Sequence, residues 1–146
     1  MKAVAELYEH DLYAWTLKNA ALIRQGRLAE VDLEHVAEEL ESMGRSERQE
    51  LVNRLAVLLA HLLEWRYQPE RRGKSWRATI KEQRLRLREH LAENPSLQPH
   101  LAASQATAYR YAVLRATQET PLEETAFPVV CPFTVEQTLA EDYWPD

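Results

Sequence analysis

The sequence predicts an all-α fold: a single-domain helical bundle of about five main helices, then a Pro-rich extended segment and a short last helix. Three observations carry that expectation. Apolar residues recur at three- and four-residue spacing through most of the chain, the period of one helix face. Gly26, Gly44, Pro69, Pro95 and Pro121 fall between these periodic stretches, where helices end. No Asn-Gly hairpin and no alternating apolar–polar run marks a strand. Neither a repeat nor a linker divides the chain, so residues 1–146 read as one domain, long enough to bury a core without staples.

The elements follow in order. Tyr8, Leu12, Trp15, Asn19 and Leu22 form one stripe of a first helix that Gly26 terminates. Asp32 caps a second helix, with Leu33, Val36, Ala37 and Leu40 inward and Gly44 at its end. Ser46 and Gln49 make a capping box for a third helix, whose inner face is Leu51, Leu55, Leu58, Leu62 and Trp65 and which Pro69 closes. A fourth runs from Ser75 to Asn94, with Trp76, Ile80, Gln83, Leu87 and Leu91 toward the core. A fifth runs from Pro99 to Glu119, with Leu101, Ala108, Tyr111, Ala112 and Leu114 inward. Thr120-Pro121-Leu122-Glu123 reads as a second capping box opening a brief helical turn. The prolines keep Phe127 to Phe133 extended, and Thr134 with Gln137 caps the last short helix.

Composition narrows the function class. The apolar fraction of 45% with 28% charged residues is that of an ordinary soluble protein. The N-terminus meets Lys2 and Glu6 too early for a signal peptide, and the apolar run Leu55 to Ala60 is too short to span a membrane. Cys131 is the only cysteine, so no disulfide framework exists and a reducing, cytoplasmic location is expected. The net charge of −5 argues against a generally cationic nucleic-acid binder but hides an asymmetry. Residues 28–50 carry eight acids against two bases, residues 66–90 nine bases against three acids, and residues 91–146 eight acids against two bases.

On the fourth helix, Arg77, Lys81, Arg84 and Arg88 share a stripe roughly 60° wide, beside the core arc. Arg72 extends it toward Arg71 and Lys74. Such a row grips phosphates, with Trp65, Tyr67 and Trp76 stacking on bases, or it reaches an acidic neighbour such as the helix carrying Glu34, Glu38 and Glu41. Arg54, His61 and Gln83 interrupt apolar stripes, so they need partners. A network with Glu38 or Glu39 would fix helix register, whereas an open pocket there would bind a small ligand or do acid–base work through His61.

No chemistry of a familiar kind is written in the chain. His61 and Glu64 have the spacing to share an ion, but the Glu-x-x-His pair of carboxylate-bridged metal bundles is absent. No metal, cofactor or catalytic residue is therefore expected. No nucleophile elbow, Cys–His pair or phosphate-cradling glycine loop occurs either.

Several strings together carry a resemblance. They are Tyr8-Glu9-His10-Asp11-Leu12-Tyr13-Ala14-Trp15, Glu38 to Glu47, His61-Leu62-Leu63-Glu64-Trp65, Tyr67-Gln68-Pro69, Ser75 to Ile80 with Gln83-Arg84, and Cys131-Pro132-Phe133-Thr134. Over nearly its whole length the chain resembles the bacterial domain-of-unknown-function family twenty-nine. The resemblance implies a small bacterial all-helical protein and prescribes no reaction. Carried over, its signature positions are Glu39, Glu47, His61, Trp65, Gln68, Pro69, Ser75, Trp76 and Gln83. The residue before Trp65 is usually basic in that pattern; here it is Glu64, which removes a cation from that spot.

The expectation is a non-enzymatic protein that acts by binding another protein, itself included. Exposed aromatics around Tyr67 and Trp76, their flanking arginines, and Phe133, Tyr143 and Trp144 of the acidic tail are of the types enriched at binding hot spots. The alternatives are nucleic-acid association through the basic stripe, and a ligand or acid–base pocket around Arg54, His61 and Gln83.

Overall fold

The computed structural model describes residues 4–146, and it is all-α, with no strand among the described residues. The chain forms two compact units, one ending at Ser46 and one spanning Glu47–Asp146, and the division falls within a helix.

In the first unit, α1 (Val4–His10) and α2 (Leu12–Arg24) replace the single helix expected there. Asp11 is the reason. Its carboxylate accepts from the Ala14 amide at 3.1 Å, so it caps α2 rather than continuing α1. Trp15, Asn19 and Leu22 are buried as the stripe predicts, but Leu12 is exposed. Gly26, at φ +71°, ends α2. Its amide bonds to Ile23 O and the Arg27 amide to Leu22 O, the paired closure that a left-handed residue permits. Asp32 then caps α3 (Leu33–Tyr67) through the His35 amide.

α3 is the largest departure from expectation. It continues through Gly44 to Tyr67, so Gly44 ends nothing and the box of Ser46 with Gln49 does not form. A glycine inside a helix costs only about 1 kcal/mol, which a long hydrogen-bonded run absorbs.

The second unit holds the main core. Leu51, Leu55, Leu58, Leu62 and Trp65 of α3 are buried, as the seam predicts. α4 (Lys74–Glu93) adds Ile80 and Leu87, and α5 (Leu101–Glu119) adds Leu101, Ala108, Tyr109, Ala112 and Ala116. Tyr111 and Leu114 were expected inward on α5; both are exposed, and Ser104 and Gln105 take inner positions instead. The Thr120 box does not form, because its hydroxyl donates to Ala116 O at 2.7 Å and accepts the Leu122 amide at 3.2 Å, closing α5; the brief helical turn expected after it is a single 3-10 turn at Glu124–Ala126. Residues 127–133 are helix-free as expected, and α6 (Val135–Leu139) has the Thr134–Gln137 capping box with both bonds formed. Tyr109 Oη donates to Pro128 O at 2.5 Å and Gln105 Nε2 to Phe133 O at 2.9 Å, so α5 fastens the extended segment.

Candidate functional site

The residues singled out in the sequence do not converge on one place. Glu39 lies in the first unit and accepts a hydrogen bond from Tyr8 Oη. Arg54 is held by Glu50, with Nη2 to Oε1 at 2.7 Å, so its partner is one turn away on its own helix rather than Glu38 or Glu39. Gln83 is half-buried with an unpartnered Oε1, and Gln68 is buried with its side-chain amide on Tyr67 O. The pocket expected around Arg54, His61 and Gln83 therefore has no common polar network among the described residues.

The basic stripe has an internal task. Arg84 is buried, and donates from Nε to Thr138 O at 2.9 Å and from Nη2 to Gln137 O at 3.2 Å. Its guanidinium lies 5.7 Å from the Trp144 ring centroid. Arg72 donates to Trp65 O at 2.6 Å and to Pro145 O at 3.2 Å, and Arg88 pairs with Glu141 at 2.5 Å. Trp144 packs against Trp65 in a tilted arrangement, ring centroids 4.8 Å apart, and the Trp65 ring also faces Arg72 and Arg77. The row thus docks the acidic aromatic tail, and the cations left exposed in it are Arg77 and Lys81. Tyr67, Trp76, Phe133, Tyr143 and Trp144 pack on the core, which corrects the expectation of exposed aromatics there.

His61 is the singled-out residue with unusual company. It projects from α3 three residues before Glu64, and both meet Glu119 at the end of α5. One ligand atom from each of the three lies within 4.8 Å of the others, with His61 Nε2 at 3.9 Å from Glu64 Oε2. His61 Nδ1 is 2.9 Å from Val57 O, a contact that places a proton on Nδ1 and leaves Nε2 facing the carboxylates. Glu64 is fully buried, and neither of its oxygens has a hydrogen-bond partner among the described residues. Burial first, then the adjoining Glu119, pushes its carboxyl up to about 9, against a smaller pull from Arg115. The sequence flagged His61 with Glu64. It gave no sign of Glu119, because only the packing of α5 on α3 brings that residue near.

Two open surfaces border α5. A groove of about 660 Å³ runs between α5 and the extended segment, lined chiefly by Tyr109, Tyr111, Leu114, Phe127, Pro128 and Val129, with Arg110 and Glu124 among its polar residues. A second cleft of about 410 Å³ is lined by Gln49, Asn53, Ala56, Val57, Tyr111 and Arg115, and so reaches the neighbours of His61 and Glu119.

Among the described residues no helix is long and apolar enough to cross a membrane. The family model described as Domain of unknown function DUF29 matches residues 7–144. No curated protein and no solved structure matches the chain.

Proposed function

The chain belongs to the family described as Domain of unknown function DUF29, and since that membership prescribes no chemistry, we propose from the geometry that the protein acts by binding an apolar segment of another protein chain. A non-enzymatic role in the cytoplasm fits this reading, with a single cysteine whose thiol burial pushes up and so away from reactivity. One observation carries it. Tyr111, Leu114, Val129 and Val130 are large apolar residues left exposed on α5 and the segment facing it, Val129 to 97%.

The physical case rests on fit. Isolated exposed apolar side chains are ordinary, but several around one concave apolar surface mark a docking site. The groove has tyrosine and arginine at its edge, residue types that carry much of the binding energy at interfaces. Its floor is pinned where Tyr109 holds Pro128, and beyond the groove Gln105 holds the same segment at Phe133, so little ordering cost falls on binding.

The test is site-specific photo-crosslinking in cells, with a photoreactive residue at Leu114 or at Val129 and a control at exposed Lys81. The expected result is a discrete adduct from both groove positions and none from the control. Adducts that are absent, or equal at all three positions, overturn the proposal. The mass of the adduct separates a second copy of this chain from a different protein.

A further inference from the structure

We propose that His61, Glu64 and Glu119 form a site for one divalent cation of the zinc class, held between α3 and α5 by His61 Nε2 and a carboxylate oxygen from each glutamate. The proposal is independent of the groove and its occupant.

Four observations carry it. The three ligand atoms already lie within 4.8 Å of one another, and His61 Nε2 and Glu64 Oε2 at 3.9 Å. Ligand atoms about 2.1 Å from a tetrahedral zinc ion lie about 3.4 Å apart, so small side-chain rotations close the site without moving a helix. Second, Glu64 is fully buried with both oxygens unpartnered, aimed at an imidazole and another carboxylate. A buried polar group without a partner loses its hydration for nothing, and an ion accepting its lone pairs removes that cost. Third, the Nδ1–H to Val57 O bond fixes the tautomer with Nε2 free, the backbone-carbonyl support that orients metal-bound histidines. Fourth, charge balances once the ion displaces the Glu64 proton: two carboxylates beside Arg115, whose Nε is 3.7 Å from Glu119 Oε1, then leave a net negative site for a dication.

The donor set selects the ion class. One imidazole and two carboxylates suit zinc, manganese or iron(II), whereas calcium and magnesium take six or more oxygens. Three protein ligands leave a position open to water or a small ligand, and the half-exposed Glu119 side chain borders it on the solvent side. The reversed order of His61 and Glu64, relative to the usual Glu-x-x-His, does not matter geometrically, because residues three apart share a helix face either way. The other mixed cluster, Glu47, Glu50 and His90, is already satisfied: Arg54 holds Glu50, and His90 Nε2 meets Glu47 O at 3.0 Å.

The experiment is calorimetric titration of the full chain, stripped with chelator, using Zn²⁺, Mn²⁺, Mg²⁺ and Ca²⁺ separately. Co²⁺ absorption serves as a spectroscopic readout of the same site. The expected result is one equivalent of Zn²⁺ bound, with Mg²⁺ and Ca²⁺ at least tenfold weaker. Glu119→Gln and His61→Gln should each weaken Zn²⁺ at least tenfold and abolish the Co²⁺ spectrum, while Cys131→Ser and Glu47→Gln leave both unchanged. Glu64→Gln, an isostere, should behave as the other ligand variants do. Should it fail to fold, Glu119→Gln decides, because that side chain is 42% exposed and its loss leaves the core intact. No stoichiometric binding of any of the four ions, or Zn²⁺ binding indifferent to Glu119→Gln and His61→Gln, overturns the proposal.

Discussion

In the first unit the residues that respond to pH sit around Asp32. Its Oδ2 lies 2.6 Å from His35 Nδ1 and accepts from Trp15 Nε1 at 2.9 Å, while its backbone amide donates to Asn19 Oδ1. Tyr8 stacks on the imidazole at 4.0 Å between centroids. The Asp32 hydrogen bond pushes His35 up, against a smaller opposing effect of burial and with help from the charges of Asp32, Glu38 and Glu34. Because the folded value is raised, the His35⁺ contribution to stability is full below the ordinary histidine value near 6.5 and disappears as pH rises through the folded value. The His35 Cε1 resonance should therefore titrate with a midpoint above 6.5, and Asp32→Asn should lower that midpoint. A midpoint at or below the ordinary value in the unsubstituted protein would show that the pair does not form. The sequence marked Asp32 as a cap but not as the anchor of Trp15, since capping is read from neighbours while the indole arrives from 17 residues away. Glu119 escaped notice for the same reason: its role comes from a helix packing contact that no spacing rule encodes.

At the scale of elements, periodicity identified faces well and ends less well. The seam from Leu51 to Trp65 was legible because one apolar period runs through it unbroken, and the Thr134–Gln137 box because both its members are adjacent in sequence. Asp11 was missed as a break because the apolar stripe continues across it. Gly44 resembles an end in sequence, yet a glycine weakens a helix without stopping it, unlike the positive-φ Gly26. These two glycines respond oppositely to the same substitution. Gly44→Ala meets nothing within 4 Å and removes unfolded-state entropy, so it should stabilise by about 0.5–1 kcal/mol. Gly26→Ala also has open space, but its φ of +71° penalises any Cβ, so it should destabilise by about 1 kcal/mol. Denaturant unfolding of the three proteins measures both, and a loss of stability in Gly44→Ala would contradict a continuous α3. On α5, apolar identity alone predicts Tyr111 and Leu114 inward; their exposure is what opens the groove, a feature only the packed structure displays.

For the chain as a whole, the charge blocks read in the sequence were real but their pairing was not deducible. The acidic stretch 28–50 was the nearest candidate for the basic row, yet the row is matched by the tail. An exposed ion pair such as Arg88 with Glu141 contributes little, about 0–1 kcal/mol. Docking depends instead on the buried Arg84, whose guanidinium burial pulls below its ordinary value against the opposing charge of Asp142, and which donates to the carbonyls of Gln137 and Thr138 over the face of Trp144. Arg84 and Trp144 should then be energetically coupled. Trp144 is only partly buried, so Trp144→Ala should cost about 2–3 kcal/mol, below the range for a fully buried tryptophan. Arg84→Met keeps the volume and removes a buried charge, but leaves two carbonyls without a donor, for a cost of about 1–3 kcal/mol. In the double variant the losses should fall short of additive by more than about 0.5 kcal/mol, because each single change already loosens the tail. Denaturant melts of the four proteins close that cycle. Strict additivity would mean that the guanidinium and the indole stabilise separate parts of the fold, and that the basic row does not act as the dock of the tail.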